Sequence, residues 1–196
     1  MNHDQTRNFV LTALFVAIVL LLGLTPVGMI PLGFINISIL CTPVVVGTLL
    51  LGLRQGLILG FIFGGVSALS AFGVYGTPSS LASALVAASP ALAAIMCFLP
   101  RLLVPIVAHL VYRAIAKGGA AVKRAVPFAA AAGSLTNTIF YLGLMLLFYV
   151  MMGIDSGRVL ALIGGTGLIA GSIEAVFAAL IATPVLAALW KVQKKN

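Results

Sequence analysis

Two long uncharged stretches constrain the fold of this chain more than any other feature. One runs from Asn8 to Leu53 and the other from Gln55 to Pro100, and each contains 46 residues. As a helix, a stretch of that length would extend for about 70 Å, whereas the hydrocarbon core of a bilayer is about 30 Å thick. Each stretch therefore contains more than one membrane crossing, and we expect an integral membrane protein.

The composition also indicates a lipid environment. Hydrophobic residues make up 62% of the chain, charged residues make up 7%, and the mean hydropathy is +1.25, whereas soluble domains carry about 25% charged residues. The net charge of +8 does not indicate a nucleic-acid surface, because the cations lie singly or in pairs between apolar segments rather than in one cluster. We therefore expect a multi-pass protein that contacts the lipid bilayer and has no nucleic-acid partner.

Apolar length and the positions of Pro and Gly predict an all-α bundle of six transmembrane helices, forming one domain over residues 1–196. The predicted spans are Phe9–Leu24, Asn36–Leu53, Leu57–Phe72, Leu99–Ile115, Val126–Met151 and Val159–Leu189. A loop over Pro26–Phe34 joins the first two spans. The irregular segment Gly73–Phe98 is expected to form an outer loop with a short helix that touches the membrane.

The distribution of Lys and Arg predicts that both termini are cytoplasmic. With that orientation only Arg101 and Arg158 lie on the outer side, against nine cations inside, which is the bias of the positive-inside rule. The inner cations are Arg7, Arg54, Arg113, Lys117, Lys123, Arg124, Lys191, Lys194 and Lys195.

Polar residues within the predicted spans are the candidate functional residues. Glu174 is the only acid inside a span, and since a buried charge is costly it should face the bundle interior, either as a ligand contact or gate or as a structural hydrogen-bond partner. Asn137 lies in the polar run Gly133–Thr138, which can serve a ligand or join helices by hydrogen bonds. Asn36 is either a helix cap or a lid residue over an outer cavity.

Arg101 is the candidate anion-binding residue. Its planar guanidinium suits a carboxylate, and Pro100 with the irregular segment before it predicts a position at the rim of an outer cavity. The alternative is that the side chain extends to lipid headgroups. Arg158 is expected to pair locally with Asp155, and His109 is expected to be an interior histidine rather than a ligand.

The sequence does not favour an enzyme or a metal site. Cys41 and Cys97 have no CxxC spacing and no nearby histidine, so we expect packed thiols. One buried acid and one buried histidine do not supply the carboxylate, paired-histidine or nucleophile–base sets that membrane enzymes need. No Walker A sequence is present, so we expect no catalytic residue, no cofactor and no ATP hydrolysis by that route.

Several segments of the chain form a distinctive set when they are taken together. They are TPVGMIPLGFINISILCTPVVVG from Thr25, LLLGLRQG around Arg54, GFIFG from Gly60, FLPR ending at Arg101, GSLTNT around Asn137 and the Glu174 helix that ends at Thr183-Pro184. This set resembles the substrate-binding (S) components of energy-coupling factor (ECF) vitamin transporters, and most closely the pantothenate-type members of that family.

The resemblance implies a six-helix subunit that binds a vitamin from outside, beneath a lid-like loop between the first two helices, and then topples in the bacterial plasma membrane to release it inside. It implies that Ala13 and Ala17 contact a transmembrane coupling (T) component, which transmits work from two ATPase subunits. The substrate-binding residues it favours are Asn36, Arg101, Asn137 and Glu174.

Pantothenate fits these side chains better than a flat-ring vitamin, because the only Trp, Trp190, lies at the cytoplasmic end. Arg101 is expected to meet its carboxylate, and the other three residues its amide and hydroxyls. The alternatives are an S component for another small vitamin or precursor, a structural or assembly subunit of a membrane complex, and a self-sufficient secondary carrier. Inverted repeats with broken helices would favour the carrier, and the two halves show no convincing repeat.

Overall fold

Helices make up nearly all of the part of the chain that the computed structural model describes, which is residues 3–25, 28–31, 36–76, 78–117 and 122–193. Two short antiparallel strands lie between the first two helices, with Met29 opposite Ser38 and Pro31 opposite Asn36. The elements in chain order are α1 (His3–Gly23), β1 (Met29–Pro31), β2 (Asn36–Ser38), α2 (Cys41–Leu51), α3 (Leu53–Ala71), α4 (Ser80–Ala88), α5 (Pro90–Lys117), α6 (Val122–Met151), α7 (Gly157–Leu162), a π-helical turn (Ile163–Gly167) and α8 (Leu168–Gln193).

Five of these helices, α1, α3, α5, α6 and α8, are long and apolar enough to cross a membrane. The multi-pass prediction is thus supported by five candidate spans rather than six. The predicted second span, Asn36–Leu53, differs from the structure, because Asn36 belongs to β2 and the helix covers only Cys41–Leu51. At about 1.5 Å per residue α2 is roughly 16 Å long, or about half of the hydrocarbon core.

The short helix α2 is the centre of the bundle. Its residues from Cys41 to Thr48 are all buried, and it packs against α1, α3, α5, α6 and α8. Gly52, with φ of 100°, makes the turn into α3. Thr48 then lies so close to Gly56 that a Cβ added there would be 2.3 Å from the Thr48 Oγ1, so these two helices pack with their backbones close together.

The start of α5 corrects the predicted fourth span. The segment Gly73–Phe98 does contain a short helix, α4, but α5 begins at Pro90 rather than at Leu99. Ser89 Oγ accepts a hydrogen bond from Leu92 N at 3.5 Å, so Ser89 caps a helix whose first residue is proline. Ser at the cap and Pro at the first position are both favoured at a helix start.

Two prolines inside α5 leave two backbone carbonyls without their usual helical donors. Pro100 has no N–H for the carbonyl of Met96, and Pro105 has none for the carbonyl of Arg101. The Arg101 carbonyl faces α3 at Gly60, where a Cβ would lie only 2.6 Å from it. A Cβ at Gly64 would likewise lie 2.7 Å from the Phe98 side chain, so Gly60 and Gly64 together allow α3 to pack closely against α5.

The predicted last span, Val159–Leu189, is interrupted. Its first part is α7, and the π-helical turn joins α7 to α8. The turn has the sequence Ile-Gly-Gly-Thr-Gly. Glycine has a low helix propensity, so a regular α-helix is less stable at these residues. The turn brings Gly167 to the wall of an interior cavity.

Charge is separated between the two ends of the bundle. Helices joined by short connections run in opposite directions, so the start of α1, the α2–α3 turn, the end of α5, the start of α6 and the end of α8 lie at one end. The exposed cations at this end are Arg7, Arg54, Arg113, Arg124 and Lys191. Ser38, Ala71 and Ser79 lie toward the opposite end, which is where the cavity is found.

Candidate functional site

A small polar cavity lies inside the bundle between α3, α5, α6 and α8. Its volume is about 60 Å³, and β2 and the residue before α4 complete its wall. Nine of its fifteen lining residues are polar, and four of these are serines. The lining residues are Ser38, Ser67, Ser70, Ala71, Ser79, Ala82, Arg101, Asn137, Thr138, Tyr141, Leu142, Gly167, Ala170, Gly171 and Glu174.

Arg101 is held in this cavity by the irregularity that Pro100 creates. Its Nη1 donates to the Met96 carbonyl at 3.1 Å, which is the carbonyl that Pro100 leaves without a helical donor. The guanidinium carbon lies 4.5 Å from the ring centre of Tyr141 and 5.3 Å from that of Phe63. Two aromatic faces therefore stabilise the cation where water is excluded.

One donor of this guanidinium is not used. Arg101 is 6% exposed, and its Nε has no hydrogen-bond partner among the described residues. A buried donor without a partner is costly, so the position favours a ligand with an acceptor atom.

Asn137 supplies a buried acceptor from the neighbouring helix, α6. It is 6% exposed, and within the described ranges its Oδ1 accepts no hydrogen bond. Ser134, one turn earlier on α6, has a buried hydroxyl that is also without a partner in those ranges. The same helix face thus offers polar atoms that a hydroxyl or amide donor can satisfy.

Glu174 joins α8 to both β2 and α6. Its Oε1 accepts from the backbone N of Ser38 at 2.7 Å, and its Oε2 accepts from Thr138 Oγ1 at 3.4 Å. The close approach of α6 and α8 depends on Gly171, where a Cβ would lie 2.7 Å from the Thr138 side chain. The carboxylate therefore holds the strand pair against the wall of the cavity.

Three of the four residues predicted to bind substrate line this cavity, namely Arg101, Asn137 and Glu174. Asn36 lies in β2 two residues before Ser38, its backbone opposite Pro31, and its side chain is outside the described part of the chain. The prediction that Asn36 caps or begins a helix is wrong, since the residue is in a strand.

The predicted position of Arg101 at an outer rim is also wrong. Because α5 begins at Pro90, Arg101 lies about 17 Å along the helix and is buried inside the bundle. His109 lies further along α5, half-buried, and does not line the cavity. The Arg158 side chain lies outside the described residues, so its predicted pairing with Asp155 stays a prediction.

The sequence reasoning missed the aromatic and serine residues of the cavity. Tyr141 follows Asn137 by four residues, and Ser70 follows Ser67 by three, spacings that place each pair on one helix face. These spacings are the sequence signal from which the two pairs could have been predicted. No sequence signal distinguishes Phe63, because it is one of three phenylalanines in an apolar span.

The described residues contain no group of three or more His, Cys, Asp or Glu side chains that could hold a metal ion. Cys41 and Cys97 are both buried and free. The polar chemistry of the cavity therefore consists of one cation, one carboxylate, one amide and several hydroxyls.

A comparison with known families matches residues 7–186 to the substrate-specific component of ECF transporters. The match covers most of the chain and includes every residue that lines the cavity. The chain belongs to the ECF transporter substrate-specific component family. A comparison with curated proteins found no match.

This S component is therefore the substrate-specific subunit of an ECF transporter and a multi-pass membrane protein. The family is a transporter substrate-binding family, not an enzyme family, and its members bind small substrates and work with T and ATPase components. Family membership does not favour the assembly-subunit or self-sufficient carrier alternatives. Ala13 and Ala17, the residues predicted to contact the T component, are both exposed on α1.

Proposed function

We propose that this S component captures a small water-soluble vitamin, pantothenate, in the cavity around Arg101, and delivers it by toppling against its T component. The observation that carries the proposal is that one cavity contains a buried donor, Arg101 Nε, and a buried acceptor, Asn137 Oδ1, neither of which has a hydrogen-bond partner among the described residues. A ligand that has both a carboxylate and hydroxyl or amide donors would satisfy both.

The arrangement around Glu174 supports this ligand chemistry. A carboxylate ligand beside a second carboxylate would be repelled. Glu174, however, directs its two oxygens at the Ser38 backbone N–H and the Thr138 hydroxyl. We propose that the ligand carboxylate lies on the Arg101 side of the cavity and that its hydroxyls lie on the Glu174 side.

The cavity must enlarge to accept a vitamin. Its volume of about 60 Å³ is below the range of about 300–1,000 Å³ that is usual for small-molecule sites. We propose that the strand pair forms the lid, and that β2 moves away from α8 to admit the substrate and then returns to close over it. Asn36 belongs to this lid in the proposal.

The topology proposed is six crossings in one domain, with both termini in the cytoplasm of a bacterial cell. In this arrangement β2 and α2 together complete the second crossing, since α2 alone is too short. The exposed cations then lie on the inner side, and the cavity lies toward the outside.

Calorimetric titration of the purified chain with a panel of water-soluble vitamins tests the proposed function. We expect saturable binding of pantothenate by the isolated subunit, and weaker or no heat with flat-ring vitamins. Tight binding of a different vitamin would keep the S-component role and replace pantothenate as the substrate. Binding of none of the vitamins would contradict the proposal.

A further inference from the structure

A second concave surface lies on the lipid-facing side of the bundle, between α6 and α8. It is an open groove of about 700 Å³, and its lining is almost wholly apolar. Phe128, Ala131 and Leu135 of α6 form one wall, and Val176, Ala179 and Pro184 of α8 form the other. We call it the α6–α8 groove.

The groove is separate from the vitamin cavity and from the proposed T-component contact. The two lining sets share no residue, and on α6 the vitamin cavity uses residues 137–142 whereas the groove uses residues 127–135. Ala13 and Ala17 lie on α1, which packs against α2 and α3. Neither the proposed substrate nor the proposed docking surface therefore accounts for the α6–α8 groove.

The length of the groove matches one bilayer leaflet. From Ser172 to Pro184, both of which line it, α8 advances about 18 Å. Half of a hydrocarbon core of about 30 Å is roughly 15 Å. An extended acyl chain that belongs to one leaflet fits a trough of this length and apolar character.

Two exposed cations lie just beyond one end of the groove. Arg124 precedes Phe128 by four residues and Ala131 by seven, which places it on the same face of α6. Lys191 follows Pro184 by seven residues, and so continues the same face of α8. Because α6 begins where α8 ends, both cations lie beyond the same end of the groove.

No acid with a described side chain opposes this positive end. Glu174 faces the vitamin cavity, and Asp155 follows the far end of α6. The groove is therefore complementary to an anionic lipid: its apolar walls match an acyl chain, and the two cations at its end attract an acidic headgroup.

We propose that the α6–α8 groove binds one acyl chain of an anionic phospholipid, whose phosphate headgroup lies at Arg124 and Lys191. The small residues Ala131 and Ala179, which are half-buried, form the floor on which the chain packs. This proposal stands independently of which vitamin the protein binds.

Native mass spectrometry of the delipidated full chain tests the proposal. The protein is incubated with equal amounts of phosphatidylglycerol and phosphatidylcholine that carry the same acyl chains. We expect one retained lipid per protein, with phosphatidylglycerol favoured by roughly tenfold. Retention of the two lipids in the ratio supplied, or no retention, would overturn the proposal.

Variants separate the contribution of the acyl chain from that of the headgroup. Ala131→Phe and Ala179→Phe fill the groove from two different helices, and each should lower lipid retention at least fivefold, so that misfolding of one leaves the other as a test. The double variant Arg124→Gln with Lys191→Gln should still retain a lipid but lose the preference for phosphatidylglycerol.

Matched controls come from α5. Ala91→Phe adds the same ring at an exposed alanine remote from the groove, and Arg113→Gln removes an exposed cation from the same end of the bundle. Both should behave like the unaltered protein. Equal retention by the filled-groove variants and by Ala91→Phe would overturn the proposal. The proposal would also be overturned if Ala131→Phe and Ala179→Phe retained lipid normally but no longer bound the T component. That result would show that a helix of a partner protein, rather than a lipid, occupies the groove.

Discussion

Arg101 is the side chain on which the proposed site depends most. It is buried, its guanidinium lies over the rings of Tyr141 and Phe63, and its Nε has no hydrogen-bond partner within the described residues. We expect Arg101→Ala to weaken vitamin binding at least about tenfold, or about 1.4 kcal/mol, because a hydrogen bond to a charged ligand group is lost. Calorimetry measures the change. Arg113→Ala, an exposed arginine of the same helix, is the control and should bind normally.

Asn137 should contribute independently of Arg101, since the two residues lie on different helices. Asn137→Ala removes the buried acceptor Oδ1, and we expect an affinity loss of at least about tenfold. Thr136→Ala is the matched control, because Thr136 is buried beside it but its hydroxyl donates to the Ala132 carbonyl of its own helix. Unchanged binding in the Asn137 variant would show that the ligand lies elsewhere.

Glu174 is expected to control how long the ligand stays bound. In Glu174→Ala the Ser38 backbone N–H loses its acceptor, so β2 is released from α8. Hydrogen bonds to charged groups contribute about 1.5–3 kcal/mol, and we expect the vitamin to dissociate roughly tenfold faster, measured by isotope exchange. Ser38→Ala keeps the backbone donor and loses only the hydroxyl that accepts from Leu40 N, so its dissociation rate should change little.

Among the elements, the pair α3 and α5 sets the geometry of the cavity. Gly60 permits α3 to approach the Arg101 carbonyl, where a Cβ would be 2.6 Å away. We expect Gly60→Ala to lower the free energy of unfolding by about 1–3 kcal/mol, because the helices must separate. Gly65→Ala is the control. A Cβ there meets nothing within 4 Å, and the variant should unfold at the same or a higher temperature in a detergent melting assay.

The sequence predicted the long helices well, because apolar length and punctuation by Pro and Gly are strong signals for them. It failed at β2, where Asn36 pairs with a strand that a run of apolar residues does not reveal. It also fails at Pro90, which falls within the predicted outer loop although Ser89 and Pro90 form a favourable helix start.

The candidate site is predicted by the sequence only in part. Arg101, Asn137 and Glu174 were selected as polar residues in apolar surroundings, and all three line one cavity. Their grouping depends on which helices are neighbours, and this requires tertiary packing. The sequence does not predict that the Met96 carbonyl holds Arg101, because a span that begins at Leu99 leaves Met96 outside the helix.

At the scale of the whole molecule, the proposal assigns vitamin binding to the cavity and contact with the T component to α1, so substitutions on α1 should affect transport but not binding. This helix is mostly exposed, and Ala13 and Ala17 present small side chains on its surface. We expect Ala13→Trp and Ala17→Trp each to abolish vitamin uptake in cells that contain the T and ATPase components, because close helix contact requires small residues. Vitamin binding by the purified variants should be unchanged.

An exposed alanine on another helix provides the comparison for this experiment. Ala91→Trp places the same bulk on α5, away from α1, and should support normal uptake. If uptake survives at both α1 positions, the T component contacts a different surface. If binding is lost together with uptake, the substitutions disturb the fold rather than the coupling.

The most direct test of the proposed site is an experimental structure of this S component with pantothenate bound. We predict that the ligand carboxylate lies within hydrogen-bond distance of Arg101, that a hydroxyl or amide of the ligand contacts Asn137, and that the cavity is larger than about 60 Å³. A ligand bound outside the space between α3, α5, α6 and α8, or one that contacts neither Arg101 nor Asn137, would contradict the proposal.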